Sequence, residues 1–221
     1  MQINMKVINL GGTNSVLNNF IAQLRDRTVQ KERMRFRANM ERIGEIFGYE
    51  VSKVLAYSPK EVETPLGTAE VPTCDSELVL ATIMRAGLPL QNGLLKVFDD
   101  ADCAFIAAWR KYDREDDYHI NVQYSNCPSL EGKILIVSDA MLATGASMEI
   151  SFNKLIELGG NPLHTHIVCP VSSVYAVEEL CKKFGDDVTL WTAAIDEELT
   201  SQSYIIPGIG DPGDLAFGEK I

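Results

Sequence analysis

The sequence is short of positive charge. Lys and Arg number 20 against 31 Asp and Glu, leaving a formal net charge of −11 over 221 residues. Nucleic-acid affinity is built on a basic face that displaces counterions from phosphates, so this balance argues against a DNA- or RNA-binding role. A small anionic substrate is not excluded, because a few local arginines can hold one. Long apolar runs are missing too. None approaches the ~20 residues that span a bilayer, and the opening M-Q-I-N-M-K carries no apolar stretch of the signal-peptide kind. The expectation is a soluble cytoplasmic protein with no nucleic-acid or membrane partner. Cysteine is sparse and scattered. Cys74, Cys103, Cys127, Cys169 and Cys181 include no C-x-x-C pair and are odd in number, which predicts free thiols in a reducing compartment. What is present is ordinary for a globular chain, 46% hydrophobic and 23% charged, and long enough to bury a sizeable core without staples.

Hydrophobic periodicity predicts helices over 14–27 and 30–56. In the second, Met34, Met40, Ile43, Phe47, Val51 and Leu55 recur at roughly helical spacing. Between Arg25 and Arg42 lie seven basic residues and three acidic ones. They form either a solvated helical face or a surface for phosphate or nucleotide. Pro65-Leu66-Gly67 centres a hairpin over 61–71, Pro presetting one turn angle and Gly tolerating the other. Apolar runs then alternate with amphipathic ones. Strands are expected at 78–84, 104–109, 134–137, 165–171 and 188–194, with helices at 88–97, 147–158 and 174–184. Gly159 and Gly160 stop the second of these helices. Residues 111–132 are polar and charged and read as an exposed arm or loop. Continuous apolar strands alternating with helices imply an α/β fold, a mostly parallel twisted sheet flanked by helices on both faces. The expected organisation is a single domain over 1–221: N-terminal helices and hairpin to residue 77, a core over 78–199, and a C-terminal segment over 200–221. Ligands in such sheets bind beyond the carboxyl ends of the strands. That rule singles out Arg85, Gly87, Arg110, Asp139 to Ser147, and Ile195-Asp196.

The strongest local signal is the run from Ile134 to Ser147, I-L-I-V-S-D-A-M-L-A-T-G-A-S. A buried strand ends in a carboxylate, a short loop with Thr144 and Gly145 follows, and a helix begins. Such a turn presents unpaired N–H groups at the positive end of a helix dipole, a ready anion site, to which Thr144 and Ser147 add hydroxyls. Asp139 beside it suits sugar hydroxyls or a developing positive charge. A phosphorylated sugar meets both demands. The alternative is that Thr144 or Ser147 merely caps the helix. The loop has neither the Gly-Lys-Ser/Thr of a Walker A motif nor G-x-G-x-x-G, which weakens kinase and dinucleotide readings.

A-M-L-A-T-G-A-S after an apolar strand and Asp resembles the phosphoribosyl-diphosphate motif of uracil phosphoribosyltransferases. The resemblance extends through L-R-D-R-T at 24–28, V-E-T-P-L-G at 62–67, I-M-R-A-G-L at 83–88 and A-A-W-R at 107–110. It continues through T-A-A-I-D at 192–196 and Y-I-I-P-G-I-G-D-P-G-D at 204–214, in the family's order. It implies a phosphoribosyltransferase-like fold with a protruding β-arm and a C-terminal hood over the base. The implied reaction, part of pyrimidine salvage, is uracil plus 5-phospho-α-D-ribose 1-diphosphate giving UMP and diphosphate. The implied donor site is Asp139, Ala140, Met141, Leu142, Ala143, Thr144, Gly145, Ala146 and Ser147, with Arg85 and Arg110 on the diphosphate and Asp211 as a donor-binding carboxylate. Asp139, Arg85 and Arg110 would serve catalysis. Ile205, Gly210, Asp211 and Pro212 would recognise uracil, largely through the backbone. Magnesium would accompany the diphosphate, held mostly by its oxygens, with no dedicated protein metal site. A homo-oligomer, dimer or tetramer, is implied, with GTP as a candidate effector.

The chain departs from the usual family loop D-P-M-L-A-T-G-G-S at Ala140 and Ala146. Ala146 would restrict the loop only if its φ had to be positive. Pro212 replaces the usual Ala and removes an N–H. The 111–131 segment also departs from the common pattern, which bears on quaternary contacts. His164 and His166 lie two apart on one strand face and lack a Cys or acidic partner for a metal. Trp109 and Trp191 read as core. Two other functions stay open: a phosphoribosyltransferase for another base, and a catalytically weak regulatory or interaction protein retaining the fold.

Overall fold

The computed structural model describes residues 5–114 and 117–219, with the side chains of 108–122 outside the described set. The elements run in order β1 (Lys6–Asn9), α1 (Val16–Arg25), α2 (Arg33–Ser52), β2 (Tyr57–Thr64), β3 (Gly67–Cys74), β4 (Leu78–Met84), α3 (Leu88–Leu95), β5 (Asp102–Arg114) and β6 (Asp117–Asn126). They continue with β7 (Ile134–Ser138), β8 (Met141–Leu142), α4 (Ala146–Gly159), β9 (His164–Ser173), α5 (Val174–Lys183), β10 (Val188–Asp196), β11 (Glu198–Leu199), β12 (Ile205–Ile206) and α6 (Pro212–Phe217). Among the described residues, eight strands form one sheet in the order β1-β10-β9-β7-β4-β5-β6, with β8 added to β9. All its pairs are parallel except β5–β6. Among the described residues no helix is long and apolar enough to cross a membrane.

The central strands are apolar throughout because both their faces are covered. Along β4, Leu78 and Leu80 join one buried cluster with Leu17, Leu24, Phe36, Met40 and Leu90 from α1, α2 and α3. The intervening Val79, Ala81 and Ile83 point the other way, into a second cluster with Met148 and Leu155 of α4 and Ala176 and Leu180 of α5. The strand period of two thus divides one run of sequence between two cores.

The structure departs from the sequence expectation at β1 and in the extent of β5, and it adds the short elements β8, β11, β12 and α6. β1 is a strand that periodicity does not announce. It is four residues long at the sheet edge, with only Val7 and Ile8 half-buried. The polar 111–132 segment contains the end of β5 and all of β6, joined antiparallel out to Arg114↔Asp117. β5 pairs with β4 only as far as Ala107, so its remainder is partnered by β6. The predicted strand ended at Trp109. In the structure Arg110 lies inside β5, opposite Ile120, rather than at a strand end.

Candidate active site

Parallel strands β4, β7, β9 and β10 bring their carboxyl ends to one edge of the sheet, and the segments that follow them meet there. Gly87, after β4, packs so tightly on the end of β7 that a Cβ would lie 2.8 Å from the Ser138 carbonyl oxygen. Asp139 follows β7 directly. Its backbone N–H donates to the Val168 carbonyl (3.1 Å), and its Oδ1 accepts the Ala140 N–H (2.7 Å). Burial raises the Asp139 pKa from 3.8 to about 7, against the smaller lowering effect of the Ala140 and Met141 N–H groups. Ala140 and Ala143 are buried, and Met141-Leu142 adds to β9 as β8. The buried Ser173 hydroxyl donates to the Ala143 carbonyl (2.5 Å) and accepts the Ala176 N–H (2.9 Å), buttressing the turn from behind.

Gly145 stands at the N-cap of α4 with φ +78° and ψ −12°, and no side chain caps the helix. Thr144 Oγ1 lies 3.4 Å from the Ala146 N, too long for a strong bond. The first N–H groups of α4 therefore face the turn as donors, beside the ionisable carboxyl of Asp139. The only non-glycine residue with positive φ among the described residues is Ser203. Ala146 therefore fits its place without left-handed strain, and the residue that must be glycine is Gly145.

Arg85, just past β4, donates through Nη2 to Asp214 Oδ1 (2.7 Å) and through Nη1 to the Gly218 carbonyl (3.0 Å), about a third of its side chain remaining exposed. The candidate donor-side arginine is thus joined to the C-terminal helix. The guanidinium of Arg110 and the rings of Trp109 and His119 lie outside the described residues. In the C-terminal segment, Ile205 is buried in the β11–β12 pair. Gly208 and Gly210 take φ +56° and +79°. Asp211 caps α6, its Oδ1 accepting from Gly213 (2.9 Å) and Asp214 (3.1 Å). Pro212 occupies the first turn of α6, where a missing N–H would have no intrahelical partner anyway.

Sequence reasoning named Asp196 as a strand end and L-R-D-R-T as a motif but did not join them. Arg25 grips Asp196 with both Nη atoms at 2.8 Å. Arg37 donates to the Ala216 carbonyl (2.6 Å), Arg35 pairs with Glu32, and Arg42 lies over the Phe20 ring. Much of the basic N-terminal stretch is therefore engaged within the protein. The one signal for the Arg25 partnership was a carboxylate closing the apolar run of β10.

A cavity of about 730 Å³ lies at the other edge of the sheet, at the amino ends of β1, β7, β9 and β10. Its His166 accepts the Trp191 Nε1–H (3.2 Å), and burial lowers the His166 pKa to about 3, so the ring is neutral. Trp191 is itself buried. The donors, carboxylate and arginine gather at the opposite edge, where α/β sheets bind ligands.

The uracil phosphoribosyltransferase family model matches residues 13–219. The chain belongs to this family. A uracil phosphoribosyltransferase from Porphyromonas gingivalis is 46% identical over 217 residues, covering 98% of this chain and all of the relative. One from Methanothermobacter thermautotrophicus is 40% identical over 185 residues, 83% of each chain. Among solved structures, AQ2163 protein from Aquifex aeolicus superposes with a TM-score of 0.86 at 27% identity, covering 97% of this chain and 99% of that one. The sheet and its flanking helices are thus those of the phosphoribosyltransferase fold that the resemblance implies.

Proposed function

We propose that the protein transfers the phosphoribosyl group of 5-phospho-α-D-ribose 1-diphosphate to uracil, giving UMP and diphosphate. The observation that carries this reading is the turn of residues 139–147, in which an ionisable half-buried carboxyl adjoins an uncapped helix start. The α4 N–H groups and the hydroxyls of Thr144 and Ser147 bind the 5′-phosphate. Asp139 accepts hydrogen bonds from the ribose hydroxyls. As the C1–O bond to diphosphate breaks, positive charge grows on the sugar ring and the Asp139 carboxylate stabilises it. Arg85 and Arg110 hold the departing diphosphate, guanidinium groups being suited to forked phosphate contacts. Uracil N1 attacks C1 as the C1–O bond breaks, and its proton passes to the departing diphosphate or to water. Positioning and exclusion of water supply most of the rate, and no covalent enzyme intermediate is needed.

Among the described residues no group of three or more His, Cys, Asp or Glu is placed to hold a metal ion. The carboxyl of Asp139, an oxygen donor beside the phosphate turn, suits a magnesium ion carried mainly by the diphosphate and water. When bound, the ion would neutralise charge on the leaving group.

Base choice rests on the segment from Ile205 to Pro212. Its backbone turns at Gly208 and Gly210 and can offer N–H and C=O groups at fixed angles. Uracil presents acceptor, donor, acceptor at O2, N3 and O4. Cytosine would set a donor against a donor, a mismatch of about 1–3 kcal/mol when buried. Association of two copies is supported by the β2–β3 hairpin, which pairs only with itself among the described strands and exposes Leu66, Val62 and Val71. Five unpaired cysteines agree with a reducing cytoplasm.

The test is direct. Purified protein with phosphoribosyl diphosphate and magnesium should form UMP from uracil at a rate well above those with hypoxanthine, adenine, orotate or cytosine. A folded sample that makes no UMP over background would overturn the reading, and a faster rate with another base would reassign it.

A further inference from the structure

We propose that Arg25 and Asp196 act as a positioning pair that fixes the base-recognition turn. The inference rests on the reading of Ile205 to Pro212 as the uracil site.

Arg25 closes α1 and Asp196 closes β10, so 171 positions of chain separate them. Their contact is a two-pronged fork: Nη1 donates to Oδ2 and Nη2 to Oδ1, each at 2.8 Å. The Asp196 side chain is 9% exposed and that of Arg25 23%. Both partners also reach the same third residue. Asp196 Oδ2 accepts the Gly208 N–H at 3.0 Å, and Arg25 Nη1 donates to the Gly208 carbonyl at 3.0 Å. One ion pair thereby holds both polar groups of a single backbone residue and sets the planes of the two peptides flanking it.

Gly208 is where such a hold matters. Its φ is +56°, and a Cβ there would lie 2.2 Å from the Ile205 carbonyl oxygen, so the turn excludes a side chain. Between Pro207 and Gly210 only Ile209 has a side chain able to anchor the turn, and it is buried. The backbone groups of Ile205 and Gly210, three residues before Gly208 and two after, are the proposed base contacts. A glycine-rich turn has little packing of its own to fix the angles of those groups. The rigid guanidinium fork supplies that order from outside. An ion pair this sheltered from water carries a desolvation cost that surface pairs escape, which favours a geometric role over simple stabilisation. The donor turn is held by different partners: Val168 and Ser173 secure Asp139 and Ala143. Loosening the pair should therefore disturb one substrate more than the other.

The experiment is steady-state kinetics with each substrate varied at saturation of the other. Asp196→Asn and Arg25→Gln are expected to raise KM for uracil about tenfold or more while KM for phosphoribosyl diphosphate stays within about twofold. Arg25→Lys, which keeps the charge and loses the fork, should recover part of the loss. The double variant should be little worse than the worse single one, because the two residues act as a unit. Thermal melts report folding. If Asp196→Asn does not fold, Arg25→Lys carries the same comparison of the two KM values. Unchanged KM for uracil in a folded variant overturns the inference, as does an equal rise in both KM values, which marks a purely structural pair. If the unmodified protein makes no UMP, the base-site reading fails and this inference fails with it. If it makes UMP and the variants behave like it, this inference alone fails.

Discussion

Asp139 carries the most consequential conflict at the scale of one residue. Its carboxyl is wanted ionised opposite a cationic sugar, yet burial raises its pKa from 3.8 to about 7. Between those values the folded protein holds one more proton than the unfolded chain, so this group's contribution favours folding below about pH 4 and is lost as pH rises through 7. That rise in pKa corresponds to ~4 kcal/mol at full burial, and water reaching the half-buried group lowers the effect to about 1–3 kcal/mol. Asp139→Asn removes the titration. In denaturant unfolding without ligand, the variant should match the parent at pH 4 and be more stable at pH 8, while UMP formation drops about a hundredfold or more. Equal stabilities at pH 8 would show that the carboxyl is better solvated than its surroundings indicate. Full turnover would remove Asp139 from the chemistry.

Among the elements, the turn into α4 shows how a local rule fixes a site. Gly145 alone in that turn needs the left-handed region, and its hypothetical Cβ lies 3.1 Å from Leu180 Cγ. Gly145→Ala combines backbone strain of about 1–2 kcal/mol with displacement of Leu180. KM for phosphoribosyl diphosphate should rise about tenfold with KM for uracil little changed, read from initial rates. The neighbouring Ala146→Gly, which restores the usual family residue, should leave both KM values within about twofold and lower stability by about 0.5–1 kcal/mol, glycine being the poorer helix former. If the two variants behave alike, the turn does not depend on Gly145 geometry. This turn was legible in advance, because a strand ending in Asp, a Thr-Gly step and a helix start are all written in consecutive residues. The central strands were legible for the same reason: burial on both faces leaves unbroken apolar runs. β1 was not, since four edge residues with two half-buried side chains make no pattern. The 111–132 stretch reads as polar because β6 is an edge strand, hydrogen-bonded to β5 alone among the described strands, so no second sheet neighbour adds the burial that selects apolar residues.

Taken whole, the molecule ties its C-terminal segment to its N-terminal half through arginines, and apart from the carboxylate that closes β10 these ties have no sequence signature. Arg25 reaches Asp196 and Gly208, Arg37 reaches the Ala216 carbonyl, and Arg85 reaches Asp214 and Gly218. The partners lie more than a hundred positions apart, where no periodicity or spacing rule applies, so the motifs that contain them could be found singly but not joined. The arrangement also explains how an acidic chain concentrates cations at one edge: its arginines are placed by backbone carbonyls and carboxylates of the segment they retain. α6 has six residues, too few to be stable as an isolated helix, and its ends depend on those contacts. Arg37→Ala removes a charge-assisted bond worth roughly 1.5–3 kcal/mol. Amide exchange followed by mass spectrometry should then accelerate about tenfold or more across residues 212–218, while Ile134 to Ser138 in the sheet centre stays protected. Unchanged exchange over 212–218 would mean that burial of Pro212 and Ala216 holds α6 without the arginine. Acceleration spreading into β7 would mean that the segment and the sheet open as one unit.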